Sequence, residues 1–303
     1  MTLNQLKYAV VVAGEHSLND AAKKLFISQP SLSNAIHSLE QELGFNIYNR
    51  SKTGVALTQE GVEFIGYARQ VLEQYELLDA RYISRREVKK KFSVSTQHYT
   101  FAVNAFIEIM NYFGMDRYEF GIYEDTTYHV IDNVKNHKSE LGILYINEFN
   151  QSVLGKLFQE YGLVFHPLFD CGLYVYLWKG HPLANQKKIT MEELMEYPCL
   201  SFDQGEHNSF YFAEEVLSTY QYKKIIKASD RATLLNLMVG SNGYTLCSGI
   251  ICEELNGSDY AAVKLESQER MTIGYISRRD AQISEIGKKY IEEIEKFRDK
   301  AML

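Results

Sequence analysis

Apolar positions at the start of the chain recur every three or four residues. Leu3, Leu6, Val10 and Ala13 fall on one helical face, and Gly14 ends the run. Ser17 opens "SLND", a Ser-x-x-Asp capping box, so a second helix begins there. Its apolar side is Leu18, Ala21, Ala22 and Leu25, and the small alanines let another helix approach closely. "FIS" makes a turn, Ser28 caps a third helix, and Pro30 sits in its first turn, where a missing N–H costs nothing. Leu32, Ile36, Leu39 and Leu43 share a narrow arc of that helix before Gly44 closes it.

Opposite this arc lie Pro30, Asn34, His37 and Gln41, flanked by Ser33 and Ser38. The first two turns of the outer face carry small, uncharged hydrogen-bonding groups, while its last turn carries Glu40 and Glu42 as a plain solvated face does. Such a surface fits a major groove, where Asn pairs with adenine. It equally suits an ordinary helical hairpin with a polar outside. The next segment of the chain favours the groove. In "FNIYNRSKTGVALTQEG", Ile47 and Tyr48 precede a tip running from Asn49 to Gly54, and Val55 and Leu57 come after it. This is a two-stranded wing whose basic tip suits a phosphate backbone. Residues 1–58 are therefore expected to form a winged helix-turn-helix.

From Gln59 to about Glu87 no proline intervenes, and Ile65, Ala68, Leu72, Tyr75, Leu78 and Tyr82 repeat at spacings of three and four. A helix of about 30 residues is about 45 Å long. Its seam can pack on its own C-terminal domain, but with no second long helix nearby in sequence, pairing with a second copy is the economical solution. "RREVKKK" (Arg85 to Lys91) reads as a solvated hinge, with DNA contact as the alternative. Residues 59–90 are thus a linker and dimerisation helix. After Lys91, strands such as "FSVST", "YEFGIYEDT" and "LGILYI" alternate with helical stretches, which implies α/β lobes with parallel pairing. The expected division of residues 91–303 is a first lobe at 91–163 and 268–303 and a second at 164–267.

Composition narrows the function. At 303 residues and 46% hydrophobic, the chain can build several cores. Its net charge of −7 argues against a coat for nucleic acid, yet residues 1–90 hold 11 Lys+Arg against 10 Asp+Glu while the rest hold 21 against 29. A near-neutral head on an acidic body suits a DNA reader whose larger part avoids phosphate. Cys171, Cys199, Cys247 and Cys252 follow no zinc or disulfide spacing, so reduced, buried thiols are expected. No signal peptide or spanning segment is read, and a cytoplasmic location is expected. Walker, nucleophile-elbow, zinc and GxGxxG motifs are absent, so neither catalysis, metal nor cofactor is expected. The alternatives are an enzyme using Cys199, Asp203 and His207, or a stand-alone small-molecule-binding protein with a non-DNA-binding helical head.

The run "SLNDAAKKLFISQPSLSNAIHSLEQELGFNIYNR", with the later "LTQEG", resembles the N-terminal domain of LysR-type transcriptional regulators. The alanine pair, "SQPSLS", "I..LE.ELG", the arginine after the wing's first strand and "LT..G" carry the resemblance. The order of elements extends it over the whole chain. It implies that the back of the chain is an effector domain of two α/β lobes like a periplasmic binding protein. Gln29, Pro30, Ser33 and Asn34 then occupy base-reading positions, and Arg50 and Lys52 lie on the wing. Ser31 and His37 complete the candidate DNA-binding set. Many family members carry basic residues where this chain has Asn34 and His37, so an A·T-leaning site and a shallow salt dependence are expected. The expected partners are an interrupted palindrome of double-stranded DNA, a small-molecule effector and further copies of the chain, as a dimer joined into a tetramer.

Ligands of open α/β sheets bind at the carboxyl ends of strands. By position, the effector candidates are Ser95, Thr96, Gln97 and His98, then Tyr145, then Ser201, Phe202, Asp203 and Gln204, then Ser229, Asp230 and Ser248. Each is equally able to serve as a cap or turn residue. "STQHY" resembles the corresponding loop of the family's cysteine- and sulfur-metabolism regulators, which implies a small sulfur or amino-acid metabolite, with carboxylate-bearing ones among the candidates.

Overall fold

The computed structural model describes residues 1–15, 17–51, 54–79, 82, 90–114 and 117–301. They form two units, Met1–Lys89 and Lys90–Leu303. In the first, α1 (Leu3–Ala13), α2 (Leu18–Leu25) and α3 (Gln29–Leu43) precede β1 (Tyr48–Ser51), β2 (Gly54–Leu57) and α4 (Gln59–Leu78). Side-chain caps start each helix: Thr2, Ser17, Ser28 and Thr58 accept N–H bonds from Gln5, Asp20, Ser31 and Gly61. Ala21, Ala22, Leu32, Ile36 and Leu39 close a core with Ala9, Val12, Ile47 and Tyr48. Gly44 ends α3 at φ 79°, a left-handed conformation that glycine adopts without strain.

Glu40 departs from expectation. It is buried, and its Oε1 accepts N–H bonds from Ile47 (2.9 Å) and Tyr48 (3.1 Å). The chain leaving α3 thus hangs from a carboxylate, and Glu42 alone stays on the solvated face. The wing strands pair antiparallel from Tyr48↔Leu57 to Ser51↔Gly54. Below it, Thr58 donates to the Asn46 carbonyl at 2.7 Å, and a Cβ on Gly61 would stand 2.1 Å from the Ile47 carbonyl oxygen. The closing "LT..G" is therefore a seam between α4 and the wing base. Along α4, Ile65 and Ala68 are buried, whereas Tyr75 and Leu78 are exposed. The expected hinge residues 85–89 lie outside the described residues, and Lys90 and Lys91 already belong to a strand.

In the second unit, β3 (Lys90–Thr96), β4 (Tyr118–Glu124), β5 (Leu141–Ile146), β6 (Leu163–Cys171) and β13 (Met271–Arg278) make one sheet in the order β4-β3-β5-β13-β6. β3 runs parallel to β4 and β5, and β13 runs antiparallel to both β5 and β6. Packed with this sheet are α5 (Thr100–Phe113), α6 (Thr127–Lys135), α7 (Gln151–Glu160) and α11 (Glu285–Glu295). The second lobe holds β7 (Tyr174–Trp178), β8 (Lys188–Ile189), β11 (Thr245–Cys247) and β12 (Tyr260–Leu265) in the order β11-β7-β12-β8. Alongside, β9 (Cys199–Phe202) pairs parallel with β10 (Ile225–Ala228) and touches the main sheet through a Cys199–Tyr244 bridge. α9 (Arg231–Ser241) packs on β9, and the short α8 (Met191–Leu194) and α10 (Glu253–Asn256) belong to the same lobe. The lobe boundary expected at Val164 is corrected by β6: its full pairing with β13 puts residues 163–171 in the first lobe, and the crossing comes after Cys171.

Candidate DNA-reading face and effector cleft

On α3 the burial pattern splits cleanly. Leu32, Ile36 and Leu39 have no exposed surface, while Gln29, Pro30, Ser31, Asn34 and His37 are exposed and Ser33 is half-buried. The Ser31 hydroxyl is shared with the capping Ser28 at 2.7 Å, so Ser31 also belongs to the cap. His37 Nε2 meets Gln41 Nε2 at 3.1 Å, which aligns the two side chains one turn apart. Arg50 lies on β1 opposite Val55, and Lys52 lies outside the described residues.

A cavity of about 90 Å³ lies between the lobes of the second unit. The first lobe contributes His98, Tyr99, Thr100, Phe101 and Met271, and the second contributes Tyr176, Phe202, Glu214, Glu215, Arg231 and Ser248 among others. Hydrogen bonds stitch the cleft. The His98 N–H donates to Glu214 at 3.0 Å, and its Nδ1 lies 2.9 Å from the same carboxylate. Its ring stacks on Phe202 with centroids 3.7 Å apart. Gln204 accepts from the Thr127 N–H and donates to Glu214, both at 3.0 Å. The Tyr145 hydroxyl donates to the Ala213 carbonyl at 3.0 Å, and Arg231 pairs with Glu124 while donating to Thr100.

The predicted effector residues divide accordingly. His98, Phe202 and Ser248 line the cavity, and Ser201, Phe202 and Gln204 line a neighbouring one. Ser95 turns inward to Ser139 and Asn133, Thr96 donates to the Gln97 carbonyl, and Gln97 is spent on Thr127, Tyr99 and the Tyr145 N–H. Asp203 is exposed and 3.7 Å from Lys227, and Ser229 is exposed too. Asp230 caps α9, accepting the Thr233 N–H at 2.9 Å, a bond that holds its carboxyl below the usual range. Sequence reasoning missed Glu214, Glu215, Tyr99 and Arg231. Burial beside Glu214 pushes the Glu215 carboxyl up to about 8.

Residues 3–62 match the bacterial regulatory helix-turn-helix proteins of the lysR family, and residues 117–298 match the LysR substrate binding domain. The chain belongs to the LysR family. It is a DNA-binding transcriptional regulator with an effector-sensing C-terminal domain. Among its relatives, the Hca operon transcriptional activator HcaR of Escherichia coli is 29% identical over 266 residues, covering 82% of each chain. In fold it resembles a full-length OxyR variant from Pseudomonas aeruginosa (TM-score 0.64, 20% identity, 97% of this chain and 94% of that one). It likewise resembles CbnR complexed with its target DNA (TM-score 0.58, 18% identity, 98% and 99%).

In this LysR-family chain the residues of the enzyme alternative find separate partners. The Cys199 thiol is pushed well above its usual range by burial, His207 stacks on Tyr128, and Asp203 faces Lys227. Burial likewise pushes the thiols of Cys171 and Cys247 up to about 12, so neither is a ready thiolate. No helix among the described residues is long and apolar enough to cross a membrane.

Proposed function

We propose that this regulator reads DNA through the outer face of α3, with Gln29, Pro30, Ser31, Ser33, Asn34 and His37 at base edges and Arg50 and Lys52 on the flanking phosphates. The observation that carries this reading is the split on α3: a fully buried Leu32–Ile36–Leu39 stripe beneath an exposed face of uncharged hydrogen-bonding groups. Such groups discriminate bases by donor and acceptor pattern, and the near-neutral head adds little non-specific attraction. Two heads engage an interrupted palindrome, their chains paired through the exposed apolar end of α4 and joined further into a tetramer. The effector binds between the lobes at the cavity beside His98, Phe202 and Ser248, and acts by preferring one arrangement of the assembly over another.

The test is the binding of Asn34→Ala to a set of single-base variants of the native site. Loss of a side chain that reads one base should relax preference at one base pair by about 1–3 kcal/mol. An equal loss of affinity for every variant would make Asn34 a positioning residue and remove the base-reading role. Arg50→Ala, by contrast, should weaken every site and reduce the salt slope.

A further inference from the structure

We propose that the cleft takes a small organic cation, an amine or guanidinium on a short apolar body, and that Glu215 is the group that selects it. This rests on the reading above that the effector binds between the lobes. Four groups of the acid, base and guanidinium types line the cavity: His98, Glu214, Glu215 and Arg231. Three are spoken for. Arg231 is held by Glu124, and the Glu214 carboxylate takes the His98 N–H, the His98 imidazole and Gln204 Nε2. Glu215 differs. Only 7% exposed, it accepts the Phe202 N–H at 2.9 Å and forms no ion pair among the described residues. The Lys227 ammonium, the cation that acts on it from a distance, is turned to Asp203.

A buried carboxyl group with no ion-pair partner on a cavity wall favours a ligand that brings a positive charge, which stabilises the ionised form in exchange for the proton. The raised affinity of Glu215 for its proton agrees with that vacancy of charge. Aromatic rings complete the recognition, since Tyr99, Phe101, Tyr176 and Phe202 line the same cavity and aromatic faces attract organic cations. An anionic ligand meets the opposite conditions. The His98 N–H, which sequence position offered to an anion, already holds the Glu214 carboxylate. A second carboxylate there would have to displace Glu214 and lie near Glu215. The expectation of a carboxylate-bearing effector is therefore disfavoured, whereas an amine derived from an amino acid fits.

The experiment titrates the full-length protein with putrescine, agmatine and methylguanidine, and in parallel with succinate and butyrate, reading calorimetric affinity and the unfolding midpoint. A cation should bind and raise the midpoint, and Glu215→Gln should weaken it at least tenfold while Glu215→Asp keeps most of the affinity. Binding of the carboxylates but not the cations, abolished by Phe202→Ala, would overturn the ligand class and leave the cleft reading intact. A cation that binds wild type, Glu215→Gln and Phe202→Ala alike would be held outside the cleft, overturning both. The comparison of cations with anions on the unaltered protein decides the class even if a variant fails to fold.

Discussion

Glu40 shows how much one buried side chain organises. Its carboxylate receives two backbone N–H groups that the turn after α3 would otherwise leave unbonded. Removing it in Glu40→Ala should destabilise the head by about 2–3 kcal/mol, because charged hydrogen bonds are lost and buried donors are orphaned. Denaturant unfolding of the full chain measures this, and a change below about 0.5 kcal/mol, the level of a neutral surface substitution, would contradict it. Glu215 makes a prediction about pH. Its carboxyl titrates near 8 in the folded chain against an ordinary 4.5, so between those values the native state holds a proton that the unfolded state has lost. Stability from this group therefore falls as pH rises through that window, by about 1.4 kcal/mol per pH unit. The groups around it are Glu214, Tyr222, Cys199, Lys227, Tyr145 and Tyr99. Glu215→Gln removes the loss, so the midpoint of the variant should gain on wild type steadily from pH 5 to pH 8. A constant difference would mean Glu215 is ionised throughout.

At the scale of elements, what was legible depended on whether the signal was local. The caps at Ser17, Ser28 and Thr58 and the stripe on α3 are set within a few residues, and periodicity and capping rules recover them. β6 carries no such label. Its place in the first sheet is decided by pairing with β13, about a hundred residues away, and a strand's sequence does not name its neighbour. The cleft was half legible for a similar reason. Strand ends pointed to His98, Phe202 and Ser248, but Ser95 and Gln97 at the same end turn into internal bonds. Glu214 and Glu215 sit on an irregular stretch between β9 and β10, where no periodicity foretells burial of a carboxylate. The α4 seam was read as continuous. Its start packs on its own head, while Tyr75 and Leu78 at its end are exposed, the stretch proposed above to meet a second copy. The double variant Tyr75→Lys with Leu78→Lys should shift the chain toward monomer in sedimentation equilibrium while leaving its helix content unchanged. An unaltered mass would place the assembly surface elsewhere.

At the scale of the whole molecule, a DNA-binding head shares one chain with a sensor whose lobes are held together by their own side chains. His98–Glu214, Thr127–Gln204 and Arg231–Glu124 all cross the cleft, so a ligand that enters must trade against contacts already made. Its influence on DNA equals its difference in affinity between two arrangements of those lobes and no more. The measurement that tests this most directly is a nuclease footprint of the full-length protein on the DNA upstream of its own gene, at low salt, with and without the cationic compounds. The account predicts protection of two or more half-sites on one face of the duplex, altered in extent or spacing by a compound that binds the cleft. Absence of protection under every condition would contradict it.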